Sequence, residues 1–404
     1  MKIVLTGVSG FVGPQLVARF AAAGCEMLLV GRDPVALASM FSDHRVCGYD
    51  DLAREGAGFD VVLHLAKMNS GQAGSTEAFM DANKGLAERV IEAAKTAGIP
   101  RVIYGSSIHA LDLRNTSAYV LSKRAGADAV LAAQGIAGEV LYLPLVHGDQ
   151  WAGKLARLNA LPKPIRRVVF SMLAALKPTV HIDRIVTHVL SPAATGTHEG
   201  ILSDNQDDNL FFTYSKRALD LVAAAAIAVF FGWLMLIVWV LVKRDSPGPG
   251  LFAQVRLGRG QKPFTCYKFR TMADGTKQAG THELSAASVT RIGAFLRRTK
   301  LDETPQIINL LRNEMSLVGP RPGLPVQHEL TAARASKGVL DVKPGITGLG
   351  QIKGIDMSTP ERLALEDSRY IALRGLLLDI RILLATVTGA GQGDKVVGDP
   401  AEPK

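Results

Sequence analysis

The chain has 404 residues, too many for one compact core and too few for three ordinary ones, so two domains are expected. Apolar residues make up 48% and charged residues 21%, a balance that excludes a disordered or fibrous chain. The formal charge of +9 is one-sided: Lys and Arg match Asp and Glu, 20 against 20, over residues 1–210, but residues 211–404 carry 26 against 17, which suits an anionic membrane surface or phosphorylated substrates.

The chain opens on an apolar, β-branched strand at residues 2–6, without the charged region, apolar run and cleavage site of a signal peptide, so the first domain is expected in the cytoplasm. A glycine turn follows, Gly7-Val8-Ser9-Gly10-Phe11-Val12-Gly13, and then a helical pattern that stops at Gly24. Strand, glycine turn and helix together suit a pyrophosphate, because glycines admit the backbone and the helix N-terminus offers unpaired N–H groups. Further strands are predicted at Met27–Val30, Val61–Leu65, Arg101–Tyr104 and Val140–Leu143, alternating with helices, as in a Rossmann-like doubly wound parallel sheet. Cys25, Cys47 and Cys266 are widely spaced with no CxxC or Cys/His grouping, so neither a disulfide framework nor a zinc site is indicated.

The residues TGVSGFVG at 6–13, HLAK at 64–67, Ser106-Ser107 and Tyr119-Val-Leu-Ser-Lys123 resemble extended short-chain dehydrogenase/reductases over residues 1–205. The resemblance implies Gly7, Gly10, Phe11, Val12, Gly13 and Ala66 along the cofactor, with Tyr119 and Lys123. It makes Tyr119 the acid/base toward a sugar carbonyl, Lys123 the group that lowers the Tyr119 pKa, and Ser107 the hydroxyl that orients the carbonyl. Family members preferring NAD carry an acidic residue after the second strand, whereas Gly31-Arg32 stands here, and a guanidinium suits a 2′-phosphate. NADP is therefore expected over NAD. The segment from Ser107 to Tyr119 and the part after Leu143 are shorter than in that family, which leaves open a nucleotide-binding module without turnover.

Residues 206–214 read as a linker, starting in the polar run Asp204 to Asp208. Residues 219–242 then form an apolar run of 24, interrupted by Asp220 alone, long enough to span a bilayer. Lys216-Arg217 precede it and Lys243-Arg244 follow it. Basic residues on both sides favour both ends on the cytoplasmic face, which a re-entrant helix over 215–244 with a bend near Gly232-Trp233 would supply. A spanning helix stays open, since no proline lies between Tyr214 and Pro247.

From Ser215 onward the chain resembles the bacterial sugar transferases, the monotopic polyprenyl-phosphate phosphoglycosyl transferases. The segments that carry this are Lys216-Arg217-Ala-Leu-Asp220, Ser246 to Pro249, Phe252 to Arg256, Lys268-Phe-Arg270-Thr-Met272, Arg297 to Gln306, Met315 to Pro322, and Pro344 to Gln351. The resemblance implies a mostly helical catalytic domain over 245–390, with Asp302 as nucleophile on the β-phosphate of a UDP-sugar and Glu303 with Asp302 at Mg²⁺. Arg270, Arg297 and Arg321 would neutralise the diphosphate and an undecaprenyl phosphate acceptor. Asp367 and Tyr370, in the closing helices, would face substrate. The tail 391–404 reads as disordered. Nucleic acid is not expected as a partner, because no aromatic stacking pattern or recognition helix accompanies the basic half. A membrane-bound enzyme on the cytoplasmic side of a bacterial inner membrane follows, with a homodimer left open.

Overall fold

The structure is a computed structural model, and it describes residues 1–68, 74–151, 153–192, 196–276 and 288–389. The tail expected from 391 lies outside them. The chain divides into two compact units, residues 1–170 with 178–205, and residues 171–177 with 206–404.

The first unit is built on a seven-stranded parallel sheet. Its strands are β1 (Lys2–Thr6), β2 (Glu26–Val30), β3 (Arg45–Cys47), β4 (Val61–His64), β5 (Arg101–Ser107), β6 (Ala137–Leu143) and β9 (His198–Ile201), in the order β3-β2-β1-β4-β5-β6-β9. A short parallel pair, β7 (Leu145–His147) with β8 (Thr179–His181), stands apart. Alternate residues of β1 enter opposite layers, Ile3 and Leu5 into one core cluster and Val4 into the other. Both sheet faces are thus covered, which is why the central strands read as continuous apolar runs. The edge strands β3 and β9 carry no such signal: Arg-Val-Cys and His-Glu-Gly-Ile are short and polar, and sequence reading passed over both.

In the second unit, residues 206–214 are not a linker. Gln206–Asp208 make a short 3₁₀ turn, Gln206 is buried with its amide donating to Ala174 O at 2.8 Å, and the Asn209 side chain accepts from Phe212 N to cap a helix starting at Leu210. Gln206 and Asn209 are thus satisfied by backbone groups of the same unit, and Asp207 by the Arg374 guanidinium.

The capped helix runs from Leu210 to Asp245 as one element, without the bend expected at Gly232. One helical glycine costs about 1 kcal/mol against alanine and does not end a helix, and no proline is present to do so. Both ends of this helix are fastened to the same unit. Near its start, Lys216 donates to Val318 O at 2.9 Å and to the Asp379 carboxylate, Arg217 donates to Leu310 O at 2.6 Å, and Asp220 accepts from Ser316 Oγ at 2.9 Å and Leu317 N at 2.8 Å. Near its end, Val238 and Val242 pack with Phe269 and Leu296. Between these anchors Val229, Phe230, Trp233, Leu236 and Ile237 are exposed.

Around the helix lie an antiparallel hairpin of β10 (Leu251–Leu257) and β11 (Pro263–Phe269), a parallel pair of β12 (Ser316–Val318) and β13 (Gly345–Thr347), and helices that include Arg291–Thr299, His328–Ala335, Pro360–Leu373 and Leu376–Val387. Strand β11 links the two anchors: Phe264 joins the cluster of Ala224, and Phe269 that of Val238.

Candidate active sites

In the first unit the glycine turn sits at the carboxyl ends of β1 and β4, where the strand order reverses and open α/β sheets take their ligands. Gly7 has φ +79°, and a Cβ there would lie 2.6 Å from Ala66 N. A Cβ on Gly13 would lie 2.0 Å from Val8 O, so only glycine lets the helix begin this close to the strand. The turn closes through Gly10 N to Gly7 O at 3.2 Å and Gly13 N to Gly10 O at 3.0 Å. The Gly13–Ala22 helix has no side-chain cap, and Val12 and the half-exposed Phe11 lead into it. Its first N–H groups can therefore meet an anionic ligand. Arg32 is exposed at the end of β2. Burial pushes the nearby Tyr49 hydroxyl up, while a hydrogen bond with Thr6 and the charge of Arg32 pull the other way.

The reductase residues are arranged less simply. Ser107 ends β5, and its hydroxyl accepts from His109 N at 3.3 Å. Tyr119 is half-buried and meets Phe79 edge-on, ring centroids 6.5 Å apart. Lys123, one turn further on the Ala118–Leu131 helix, is 1% exposed. Its amine donates to Tyr104 Oη at 3.0 Å and Gly105 O at 2.8 Å. Burial pushes that amine well down. The expected Tyr and Lys share a helix, but the lysine is committed to Tyr104.

In the second unit Asp302 and Glu303 open a 3₁₀ turn, Leu301–Gln306, reached from the Arg291–Thr299 helix through Lys300 in the left-handed region. Asp302 is buried. Glu303 Oε1 lies 2.6 Å from Lys268 Nζ and 3.9 Å from Arg321 Nη1. Burial raises the Cys266 thiol, and the charges of Lys268, Arg256 and Arg321 pull it the other way. Arg297 stands on the preceding helix with Nε donating to Thr271 Oγ1 at 3.0 Å. Lys268, quoted within the Lys-Phe-Arg motif but given no role, is the residue that sequence reasoning missed. Its signal was a cation within the quoted motif, next to last on β11.

Three sequence assignments change. Arg270 is buried, and its guanidinium donates to the carbonyls of Pro249 (2.7 Å), Pro247 (2.6 Å), Ser246 (2.8 Å) and Val242 (3.3 Å). The guanidinium expected at a phosphate is thus occupied by carbonyls at the C-terminal end of the long helix. Asp367 is buried in a pair with Arg334, which donates to Oδ2 through Nε at 3.0 Å and Nη2 at 2.7 Å. The Tyr370 hydroxyl, also buried, donates to Asp379 Oδ1 at 2.8 Å, and Lys216 Nζ lies 3.4 Å from it. Asp367 and Tyr370, expected to face substrate, are thus buried in pairs that hold helices together. Among the described residues no group of three or more His, Cys, Asp or Glu side chains could hold a metal. Two adjacent carboxylates nevertheless suit Mg²⁺, which takes one or two carboxylates and completes its shell with phosphate oxygens and water.

These features define a chain with a dinucleotide cradle on one unit and a carboxylate centre ringed by cations on the other. Residues 3–168 match the NAD dependent epimerase/dehydratase family and residues 211–392 the bacterial sugar transferase family. A UDP-glucose:undecaprenyl-phosphate glucose-1-phosphate transferase of Caulobacter vibrioides is 40% identical over 183 residues, covering 43% of this chain and 68% of the relative. The chain belongs to the bacterial sugar transferase family. A transferase of the same name from Xanthomonas campestris pv. campestris is 39% identical over 260 residues, 61% of this chain and 51% of that one, so the match spans about half its length. The solved structure of MoeE5 in complex with UDP-glucuronic acid and NAD is 19% identical, covering 51% of this chain and 77% of its own, with a TM-score of 0.40.

Proposed function

We propose that the second unit transfers a sugar phosphate from a UDP-sugar to undecaprenyl phosphate, starting a cell-surface glycan. The observation that carries this is the Asp302-Glu303 pair in a turn beside Lys268 and Arg321, within the family match. An oxygen of Asp302 attacks the β-phosphorus of the donor, the bond from that phosphorus to the bridging oxygen breaks, and UMP leaves with the bridging oxygen. The phosphosugar is then held on Asp302 until an oxygen of undecaprenyl phosphate attacks the same phosphorus and releases the carboxylate. Lys268 and Arg321 offset the phosphate charge that would repel a carboxylate nucleophile, and Lys268 also fixes Glu303. Asp302 and Glu303 would hold a Mg²⁺ ion, which supplies further neutralisation of phosphate oxygens. Incubating the protein with UDP-glucose, undecaprenyl phosphate and Mg²⁺ should yield lipid-extractable sugar and UMP. Release of UDP instead of UMP would mean transfer of the sugar alone and would reject the scheme.

The exposed apolar middle of the long helix suits lipid, and both its ends are fastened to one unit, so we place both on the cytoplasmic face. Membrane-impermeant thiol labelling of intact cells should reach cysteines introduced at neither Tyr214 nor Arg244; labelling of one alone would reverse the assignment.

For the first unit we propose NADP binding and reduction or epimerisation of the UDP-sugar, with Arg32 at the 2′-phosphate. The bound cofactor would accept or supply hydride, Tyr119 would handle the carbonyl proton, and Ser107 would orient the oxygen. In a fluorescence competition NADPH should bind at least about tenfold tighter than NADH, and Arg32→Ala should erase the preference. Equal affinities in the unaltered protein would refute it. A second reading, a nucleotide-binding module without turnover, is favoured by the commitment of Lys123 to Tyr104 and Gly105. Oxidation of NADPH by a 4-keto UDP-sugar separates the two, since a binding module consumes none.

A further inference from the structure

Lys67 follows β4 at the point where the strand order reverses, directly beside the glycine turn. The backbone on either side of it is pinned. Ala66 N donates to Thr6 Oγ1 at 3.3 Å, and Met68 N donates to Asn83 Oδ1 at 3.1 Å. Asn83 is fully buried and anchored in turn, its amide donating to Ser122 Oγ at 2.9 Å. The Ala66 backbone also forms the wall against which Gly7 turns, where a Cβ would approach to 2.6 Å. Lys67 is therefore set on a fixed stretch at the rim of the crevice, with its side chain exposed.

A dinucleotide brings a diphosphate with two negative charges to this rim. The turn from Gly7 to Gly13 offers backbone N–H groups but contains no cationic side chain. Arg19, further along the same helix, is engaged by Asp149 and Asp183. Lys123 is 1% exposed, donates to Tyr104 Oη and Gly105 O, and lies 4.2 Å from the Tyr104 ring centroid. Its amine points into the fold. After burial, the charge of Lys67 is the further influence that lowers Lys123, and of the two residues only Lys67 is exposed.

We propose that Lys67 supplies the cation to the diphosphate of the bound dinucleotide, a role that Lys123 cannot take from its buried position. This rests on the dinucleotide-binding reading of the first unit. A long flexible ammonium at the mouth of a helix N-terminus adds a charge-assisted hydrogen bond to the backbone donors already there. Because the contact is at the surface, it weakens as ionic strength rises.

The test is NADPH fluorescence titration of the full chain in detergent, at low and at physiological salt, for the unaltered protein and for Lys67→Ala, Lys67→Gln and Lys67→Arg. Removing the charge should weaken NADPH binding by about tenfold at low salt and flatten its salt dependence, while the Arg variant should stay within about threefold. Lys67→Ala and Lys67→Gln binding as tightly as the unaltered protein would overturn the proposal. So would a loss with unchanged salt dependence and no recovery in Lys67→Arg, which would mark a structural role. If the unaltered protein bound neither NADPH nor NADH, the dinucleotide reading would fall and this proposal with it.

Discussion

Asp302→Asn should reduce sugar-phosphate transfer to undecaprenyl phosphate by about 10⁴-fold or more, because the substitution keeps the shape of the side chain but removes the anion that attacks. A loss of that size corresponds to about 5 kcal/mol of transition-state stabilisation. Asn keeps the size and shape of the buried Asp302 side chain, and a melting curve of the variant checks that the loss is one of chemistry and not of folding. Two readouts are needed. Acid-quenched protein should carry label from a sugar-labelled UDP-sugar when lipid acceptor is withheld, and the Asn variant should carry none. Glu303→Gln should also slow transfer, but by a different route. It removes the charge partner of Lys268 without removing the attacking oxygen, so some label should still accumulate on the protein. An Asn variant that loads lipid at an undiminished rate would eliminate Asp302 as nucleophile.

Why some of this was legible in the sequence and some was not follows from how far each interaction reaches along the chain. The sheet of the first unit was readable because β1, β4 and β5 are buried on both faces and the glycine turn announces where the first crossover begins. The edge strands β3 and β9 have little apolar surface to bury, so neither left a pattern. Asp302 and Glu303 could be singled out because a local run of residues carries their motif, and the pair falls in one turn with Glu303 beside Lys268. Arg270 could not be read this way: its charge suggested phosphate, but its partners are carbonyls 21 to 28 residues back, exposed only because the long helix ends beside it. Asp367 likewise looked like a ligand until Arg334, 33 residues away, proved to cover it. Buried polar groups are almost always paired, yet their partners lie at distances that residue type alone does not disclose. The bend near Gly232 was inferred from basic residues at both ends of the apolar run, and charge at the ends does not disclose whether the helix between them breaks; this one has nothing in it to break the ladder.

The second large effect concerns Glu139, which neither proposed reaction uses. It sits on β6 with its side chain 2% exposed, and Arg101 on β5 donates to its Oε2 through Nε at 3.1 Å and Nη2 at 2.6 Å. His188 meets the other carboxylate oxygen, and His198 Nε2 lies 3.4 Å from it, so one buried carboxylate joins β5, β6, β9 and the Ile182–Leu190 helix. Burial alone would raise its pKa; the hydrogen bonds and charges of His188 and Arg101 outweigh this and hold it at about 2, against an ordinary 4.5. A depressed folded-state pKa stabilises the fold above the unfolded value, so the contribution is complete above about pH 4.5 and is lost as pH falls from there toward 2. The span of that shift limits the pH-linked part to about 3 kcal/mol. Glu139→Gln should destabilise the first unit by about 3–5 kcal/mol, since it leaves the Arg101 guanidinium buried without its counter-charge. Because two units need not unfold together, hydrogen exchange of the β5, β6 and β9 amides is the suitable measurement. Those amides should exchange faster in the variant at neutral pH, and lowering the pH from 4.5 should cost the variant less protection than the unaltered protein. Pairing the substitution with Arg101→Met should restore most of the loss, because the double variant leaves no orphaned buried charge. If Glu139→Gln alone left the exchange of all three strands unchanged, the carboxylate would not be the tie between them.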